Sequence, residues 1–271
     1  MLLDKYGKNA DCLRQKRLFL FDMDGTIYEE DRLFEGTLPL LAAIRRIGGR
    51  SVFITNNSSR SVEDYVKKVR NMGIDADTED FFTSVQATVL LLKKEYPGVL
   101  VYAQGTASML QELRESGIRV TDRIEPDIGL VLVGFDTELT FEKLRTTCEL
   151  LTKRDLPFYA CNPDLVCPCS FGFVPDCGSM CQGIYNATGK KPVYIGKPEK
   201  TMIKVVEQKF DCAKDETVVI GDRLYTDIRS GNNAGVTTVC VLSGEATEQD
   251  IFDGCDKPTF VFDSVSDIIL D

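Results

Sequence analysis

Four short apolar runs restrict the topology of this chain more than any other feature. They are RLFLFD at 17–22, SVFIT at 51–55, TVVIG at 217–221 and VTTVCVL at 236–242. Each is too short for a helix and too uniformly apolar for a strand with one wet face, which is the pattern of strands covered on both sides. Helical spacing fills the intervals between them. Leu38, Leu41, Ile44 and Ile47 fall on one face before Gly48-Gly49, and Val62, Tyr65, Val66, Val69 and Met72 do so before Gly73. Ser61 and Asp64 have the spacing of a capping box ahead of that second helix. The order β-α-β-α predicts an α/β fold with a parallel sheet.

The C-terminal part repeats this grammar, with a short apolar VYIG at 193–196, a helix near 199–210, a helix over 225–234 and a last strand at 259–262. Between the two parts lies a section of its own. It carries strands expected at 99–103, 129–134 and 157–161, and a helix over 140–154 with Phe141, Leu144, Cys148 and Leu151 near one face. A structureless connection of that length does not fit inside one domain. The expected architecture is a Rossmann-like parallel-sheet core made of 1–80 and 186–271, with an α/β cap domain, 81–185, inserted into it.

Composition removes several function classes. Of 271 residues, 43% are hydrophobic and 27% charged, and the formal charge is −10. That excess opposes non-specific binding to nucleic acid or to an anionic membrane. The chain has no histidine, which rules out a Ser-His-Asp triad, a Cys-His pair and His-ligated zinc. No stretch approaches the ~20 apolar residues of a membrane span, and the N-terminal MLLDKYGKNADCLRQKR lacks a signal-peptide core. The expected location is cytoplasmic, with the ten cysteines held as thiols.

What ends the strands carries the chemistry, because ligands of such sheets sit beyond the carboxyl ends of the strands. The first run stops at Asp22-Met23-Asp24-Gly25-Thr26, the second at Thr55-Asn56-Asn57, VYIG at Lys197, and TVVIG at Asp222, with Asp227 five residues on. Asp22, Asp24 and Asp222 on one edge repel one another unless a cation relieves them. An all-oxygen ligand set favours Mg²⁺. Lys197 supplies a positive charge for a phosphoryl oxygen, and Thr26, Thr55 and backbone N–H groups near Asn56 can take the others. This set suits phosphoryl transfer, in which Asp22 attacks as nucleophile and Asp24 moves the protons. Taken singly, Asp222 could be a helix N-cap, Asp227 a first-turn helix charge and Lys197 a solvated lysine.

DMDGTIY, ITNNSS, GKP and GDRLYTDI occur in that order and resemble the four motifs of haloacid dehalogenase superfamily phosphatases. The insertion between the second motif and the lysine is similar to that of the NagD-like, class IIA capped branch, as are CNPD, PDCGSMCQGI and GKKPVYIGKP. The resemblance implies Asp22 as nucleophile and Asp24 as acid/base and as a ligand through its backbone carbonyl. It implies Asp222 as a Mg²⁺ ligand, Asp227 behind the metal or its water, and Thr55, Asn56 and Lys197 at the phosphate. The expected activity is hydrolysis of small-molecule phosphomonoesters through an aspartyl-phosphate. A phosphotransferase with the same intermediate and an idle binding protein on the same fold stay open. A dinucleotide-dependent oxidoreductase does not fit, since no G-x-G-x-x-G follows the first strand.

Substrate choice then belongs to the cap, over 160–182. PCSFGFVPDCGS, at 168–179, has no Arg or Lys, so a second anionic group finds no partner there, which points to a singly phosphorylated sugar or a nucleoside monophosphate. Cys161, Cys167, Cys169, Cys177 and Cys181 crowd the same region without a C-x₂-C pair. Buried thiols are expected there in place of zinc. Asn162-Pro163-Asp164 is expected to order the cap loop. The oligomeric state is left open, a homodimer among the options.

Overall fold

The computed structural model describes residues 1–169 and 171–270. Ser170, inside the expected substrate-choosing segment, lies outside the described residues. The chain divides into two compact units. One consists of Met1–Thr55, Val66–Phe82 and Lys197–Asp271, the other of Asn56–Tyr65 and Thr83–Gly196.

The first unit is built on a six-stranded sheet. Its order is Phe260–Phe262, Thr237–Val241, Thr217–Gly221, Leu18–Phe21, Arg50–Thr55 and Phe81–Thr83. The first five run parallel, with Phe21 opposite Ile220 on one side and Phe53 on the other. Leu18, Phe19, Leu20 and Phe21 are all fully buried, as expected for a central strand roofed on both faces. This register brings the ends at Asp22, Thr55 and Asp222 to one edge. The helix Thr37–Arg46 buries Leu40, Leu41 and Ile44 but leaves Leu38 exposed, so its apolar stripe is shifted from the one expected. Phe81 and Phe82 were expected in the insertion; they form the edge strand of this sheet instead.

The second unit has its own parallel sheet of five strands, in the order Val193–Tyr194, Phe158–Ala160, Ile128–Val133, Leu100–Gln104 and Val120–Thr121. Strand residues alternate between two cores. Val101, Ala103, Leu130 and Leu132 pack with the helices Ser84–Glu95 and Ala107–Glu115. Tyr102, Val131 and Val133 pack with Phe141–Lys153 and Cys177–Thr188. Both faces are therefore covered, each fully buried Leu or Val contributing about 1.5–3 kcal/mol. In the long third helix Phe141 is exposed and Leu150 and Leu151 are buried. A hairpin of Val166–Cys169 and Gly172–Pro175 completes the unit.

The VYIG segment requires a correction. The sequence places it as a short strand of the first sheet, but Val193 and Tyr194 pair with Tyr159 and Ala160 and so form the edge of the second. Two residues carry no periodicity that could say which sheet they join. The boundary expected at 185/186 accordingly falls between Gly196 and Lys197.

All ten cysteines are free thiols. Burial pushes Cys161 up to about 12 and holds Cys177 well above the usual thiol range, so neither carries thiolate at neutral pH.

One titrating group of the second unit gives a pH prediction. The Glu112 carboxyl is pushed up to about 7 by burial and then by the charge of Glu63, with Glu115 and Asp64 adding to it and the Val62 N–H opposing. Its Oε2 is buried without a hydrogen-bond partner. The unfolded chain ionises this group near its ordinary value, ~4.3, while the folded chain waits until about 7. The destabilisation grows through that window and is complete above it. Glu112→Gln should therefore raise the melting temperature at pH 8 and leave it nearly unchanged at pH 4. Equal shifts at both pH values would show that the carboxylate charge is not the cause.

Candidate active site

Asp22 stands one residue past the central strand, its N–H donating to Ile220 O at 2.8 Å and so extending the sheet ladder. Asp222 follows the neighbouring strand. Asp227 arrives by a π-helical turn, Leu224–Ile228, in which Arg223 O accepts from both Asp227 N–H and Ile228 N–H. One carboxylate oxygen from each of these three acids lies within 4.8 Å of the others.

Lys197 enters this group as its cation. Its Nζ is 2.5 Å from Asp22 Oδ1, 2.6 Å from Asp227 Oδ1 and 3.2 Å from Ile54 O. The side chain is 2% exposed. Three acceptors match the three N–H bonds of an ammonium. Lys197 therefore reaches the acids although the segment before it belongs to the other sheet.

One positive charge does not balance three negative ones. Burial, followed by the charge of Asp227, raises Asp22 well above the usual carboxylate range, with Lys197 pulling the other way. Burial and Asp227 push Asp222 up to about 6. Burial lowers Lys197, but Asp22 and Asp227 outweigh it and the net direction is up. Beyond burial, the push of Asp227 on both carboxyls and the net rise of Lys197 are what a site with more negative than positive charge produces. A hard divalent ion that takes carboxylate oxygens fits this deficit, and no nitrogen or sulfur donor stands in the trio to favour a softer metal.

Asp222 is fixed from several sides. Thr26 Oγ1 donates to its Oδ1 at 3.1 Å, the Glu245 N–H donates to its Oδ2 at 2.8 Å, and the Ala246 N–H donates to its carbonyl at 3.0 Å. Two glycines make room for it. A Cβ at Gly25, whose φ is +85°, would lie 2.5 Å from Asp222 Oδ2, and one at Gly244 would lie 2.0 Å from it. Ser243 Oγ donates to Gly25 O at 2.7 Å, tying the two glycine turns together.

The acids that meet differ from the set expected. The Asp24 carboxylate is not in the trio. It accepts from Tyr28 OH at 3.3 Å and lies 3.8 Å from Lys68 Nζ, which also sits 3.9 Å above the Tyr28 ring. Asp227, expected behind the metal, supplies an oxygen to the trio. Thr26, expected at the phosphate, is engaged with Asp222. Thr55 is buried at the end of the adjacent strand. Asn56, the next residue, belongs to the second unit, where its Nδ2 donates to Asp164 Oδ1 at 3.4 Å and its carbonyl accepts from Ser84 Oγ at 2.7 Å.

The CNPD segment orders its loop as expected. Asn162 Nδ2 donates to Asp164 Oδ2 at 3.1 Å and to Asp176 Oδ1 at 3.0 Å, and Asp176 caps the helix Cys177–Thr188.

Lys68, Tyr28 and the 243–246 turn were not foreseen. Lys68 reads as one charge among several on a helix surface. The turn had a visible signal, because Ser243-Gly244 follows an apolar run and the rule about strand ends applies to it equally.

Comparison with known proteins adds independent findings. A family model described as haloacid dehalogenase-like hydrolase matches residues 19–119, and a HAD-hydrolase-like model matches 194–268. An acid sugar phosphatase of Staphylococcus aureus is 30% identical over 259 residues, 96% of this chain and 99% of that protein. The structure of a 4-nitrophenylphosphatase from Thermotoga maritima superposes with a TM-score of 0.88 at 37% identity, covering 94% of this chain and 97% of that one. NagD from E. coli K-12 gives 0.84 at 30% identity, covering 94% and 99%.

Proposed function

Because this chain belongs to the haloacid dehalogenase-like hydrolases, as a phosphatase of their NagD-like branch, we propose that it hydrolyses small-molecule phosphomonoesters by way of a phosphorylated Asp22. The observation that carries this reading is the meeting of partly exposed Asp22 with buried Asp222 and Asp227, with Lys197 Nζ between two of the three.

In the first half-reaction an Asp22 carboxylate oxygen attacks phosphorus in line with the ester oxygen. The P–O bond to the leaving group breaks as Asp24 gives that oxygen a proton. In the second, Asp24 takes a proton from water, the water oxygen attacks phosphorus, and the bond to Asp22 breaks. Inorganic phosphate leaves and both aspartates return to their starting states. Lys197 favours the ionised form of Asp22 against the burial and the Asp227 charge that oppose it, and offers its charge to a phosphoryl oxygen. Lys68 and Tyr28 hold the Asp24 carboxylate. Thr26 and the 243–246 turn orient Asp222.

Asp22, Asp222, the backbone carbonyl of Asp24 and, directly or through water, Asp227 would hold Mg²⁺. When bound, the ion supplies neutralising charge to the phosphoryl oxygens and the nucleophile. Thr55 and the Asn56 N–H are assigned to the remaining phosphoryl oxygens.

The second unit is assigned the role of a cap that selects the leaving group. Sugar phosphates are the first substrates to test, given the activity named for the staphylococcal relative. Ten free thiols fit a reducing compartment such as the cytoplasm. Among the described residues no helix is long and apolar enough to cross a membrane.

The test is phosphate release from a panel of sugar phosphates and nucleoside monophosphates, with and without metal. Chelation with EDTA should lower turnover by roughly a hundredfold, and Mg²⁺ should restore it. Full turnover in metal-free protein would overturn the role given to the trio.

A further inference from the structure

Arg223 and Glu245 flank the acidic trio without belonging to it. The Arg223 N–H donates to Asp227 Oδ2 at 3.1 Å. Its guanidinium Nε lies 2.9 Å from Glu245 Oε2, an ion-pair contact outside hydrogen-bond alignment, and Tyr225 OH donates a long hydrogen bond, 3.5 Å, to the same oxygen. The backbone N–H of Glu245 in turn donates to Asp222 Oδ2 at 2.8 Å. The contacts therefore form a closed path from Asp227 through Arg223 and Glu245 to Asp222.

The ion pair is partly exposed, with side chains 13% and 31% accessible, and such pairs add little to global stability. What this one fixes is the position of an amide. In the turn that follows the Thr237–Val241 strand, Ser243 Oγ ties one end to Gly25 O and the Ala246 N–H ties the other to Asp222 O, while Gly244 between them has no side chain to hold the Glu245 amide. Gripping the Glu245 carboxylate holds the Glu245 N–H against one chosen oxygen of Asp222 and so sets which lone pairs of that carboxylate face the trio.

We propose that Arg223 and Glu245 act as one positioning clamp that sets Mg²⁺ affinity through the orientation of Asp222. This rests on the reading of Asp222 as a Mg²⁺ ligand. Outer-shell groups of this kind govern metal affinity in other sites. A clamp differs in sign from a plain field effect. If the two side chains acted only by their charges, neutralising Arg223 would tighten Mg²⁺ binding and neutralising Glu245 would weaken it. A clamp loosened at either end weakens binding both times.

The experiment is calorimetric titration of the full-length, substrate-free protein with magnesium chloride. It compares the parent with Arg223→Gln, Glu245→Gln, the double variant and Asp222→Asn. Each single neutralisation should weaken Mg²⁺ binding roughly tenfold, the low end for outer-shell partners. The double variant should be no weaker than either single one, since both break the same connection. Arg223→Lys keeps the charge without the planar fork and should also weaken binding, which preserves the test if Arg223→Gln does not fold. Opposite signs for the two neutralisations, or affinities all matching the parent, would overturn the clamp. If Asp222→Asn binds Mg²⁺ as the parent does, the metal-site reading itself fails, a different outcome from loss of the clamp alone.

Discussion

Asp22→Asn should leave a folded protein that turns over p-nitrophenyl phosphate at least ~10⁴-fold more slowly than the parent, the scale on which loss of a covalent nucleophile is felt. The substitution keeps the shape of the side chain and removes one charge. An amide oxygen can still accept from Lys197 Nζ, now 2.5 Å from Asp22 Oδ1, but it cannot form the acyl-phosphate. Because burial and Asp227 raise the Asp22 carboxyl, the native fold bears a cost for that charge in the absence of metal. The variant should then melt no lower than the parent in metal-free buffer at pH 7. Acid-quenched parent enzyme should carry one phosphoryl group at residue 22 by mass spectrometry, and the variant none. Turnover within tenfold of the parent, with the variant folded, would remove Asp22 from the nucleophile's place.

The parts of this molecule readable from sequence are those where one local signal suffices. Leu18–Phe21 is apolar at every position and stops at an aspartate. A strand buried on both faces and a charge at its end both follow from those residues alone. Thr217–Gly221 and Asp222 are the same case.

The parts that escaped depend on longer-range choices. Val193–Tyr194 is too short to declare its sheet. Asp227 could be a helix-turn charge or a member of the site, and its placement is decided by a π-helical turn, Leu224–Ile228, that nothing in LYTDI announces. Asp24 sits two residues from Asp22 in sequence, yet the turn closed by Gly25 sends its carboxylate to Tyr28 and Lys68. Like charges close in sequence need not be close in space, and here one carboxylate joins Lys197 and two other acids while the other meets Tyr28 and Lys68.

Lys197→Met carries the other large expected effect, and its parts differ in sign. The ammonium is almost fully buried and gives each of its N–H bonds to an acceptor of the same unit. Its removal leaves Asp22 and Asp227 facing each other without the cation between them. Breaking a buried pair typically costs 3–5 kcal/mol, and here about 3 is expected for metal-free protein at neutral pH, because one acid can take up a proton. Mg²⁺ should recover most of that loss, since the ion then supplies the missing charge to a site that has become more negative. Its affinity should rise accordingly. Turnover should nonetheless fall about 10³-fold, because the lysine offers the phosphoryl group charge that a metal held by the carboxylates does not duplicate. Thermal melts with and without Mg²⁺, set beside kcat at saturating metal, separate these effects. A variant that binds Mg²⁺ more tightly yet stays slow identifies Lys197 as a group acting on the reacting phosphate; one that regains parental turnover in Mg²⁺ identifies it as a counter-ion of the resting site and nothing more.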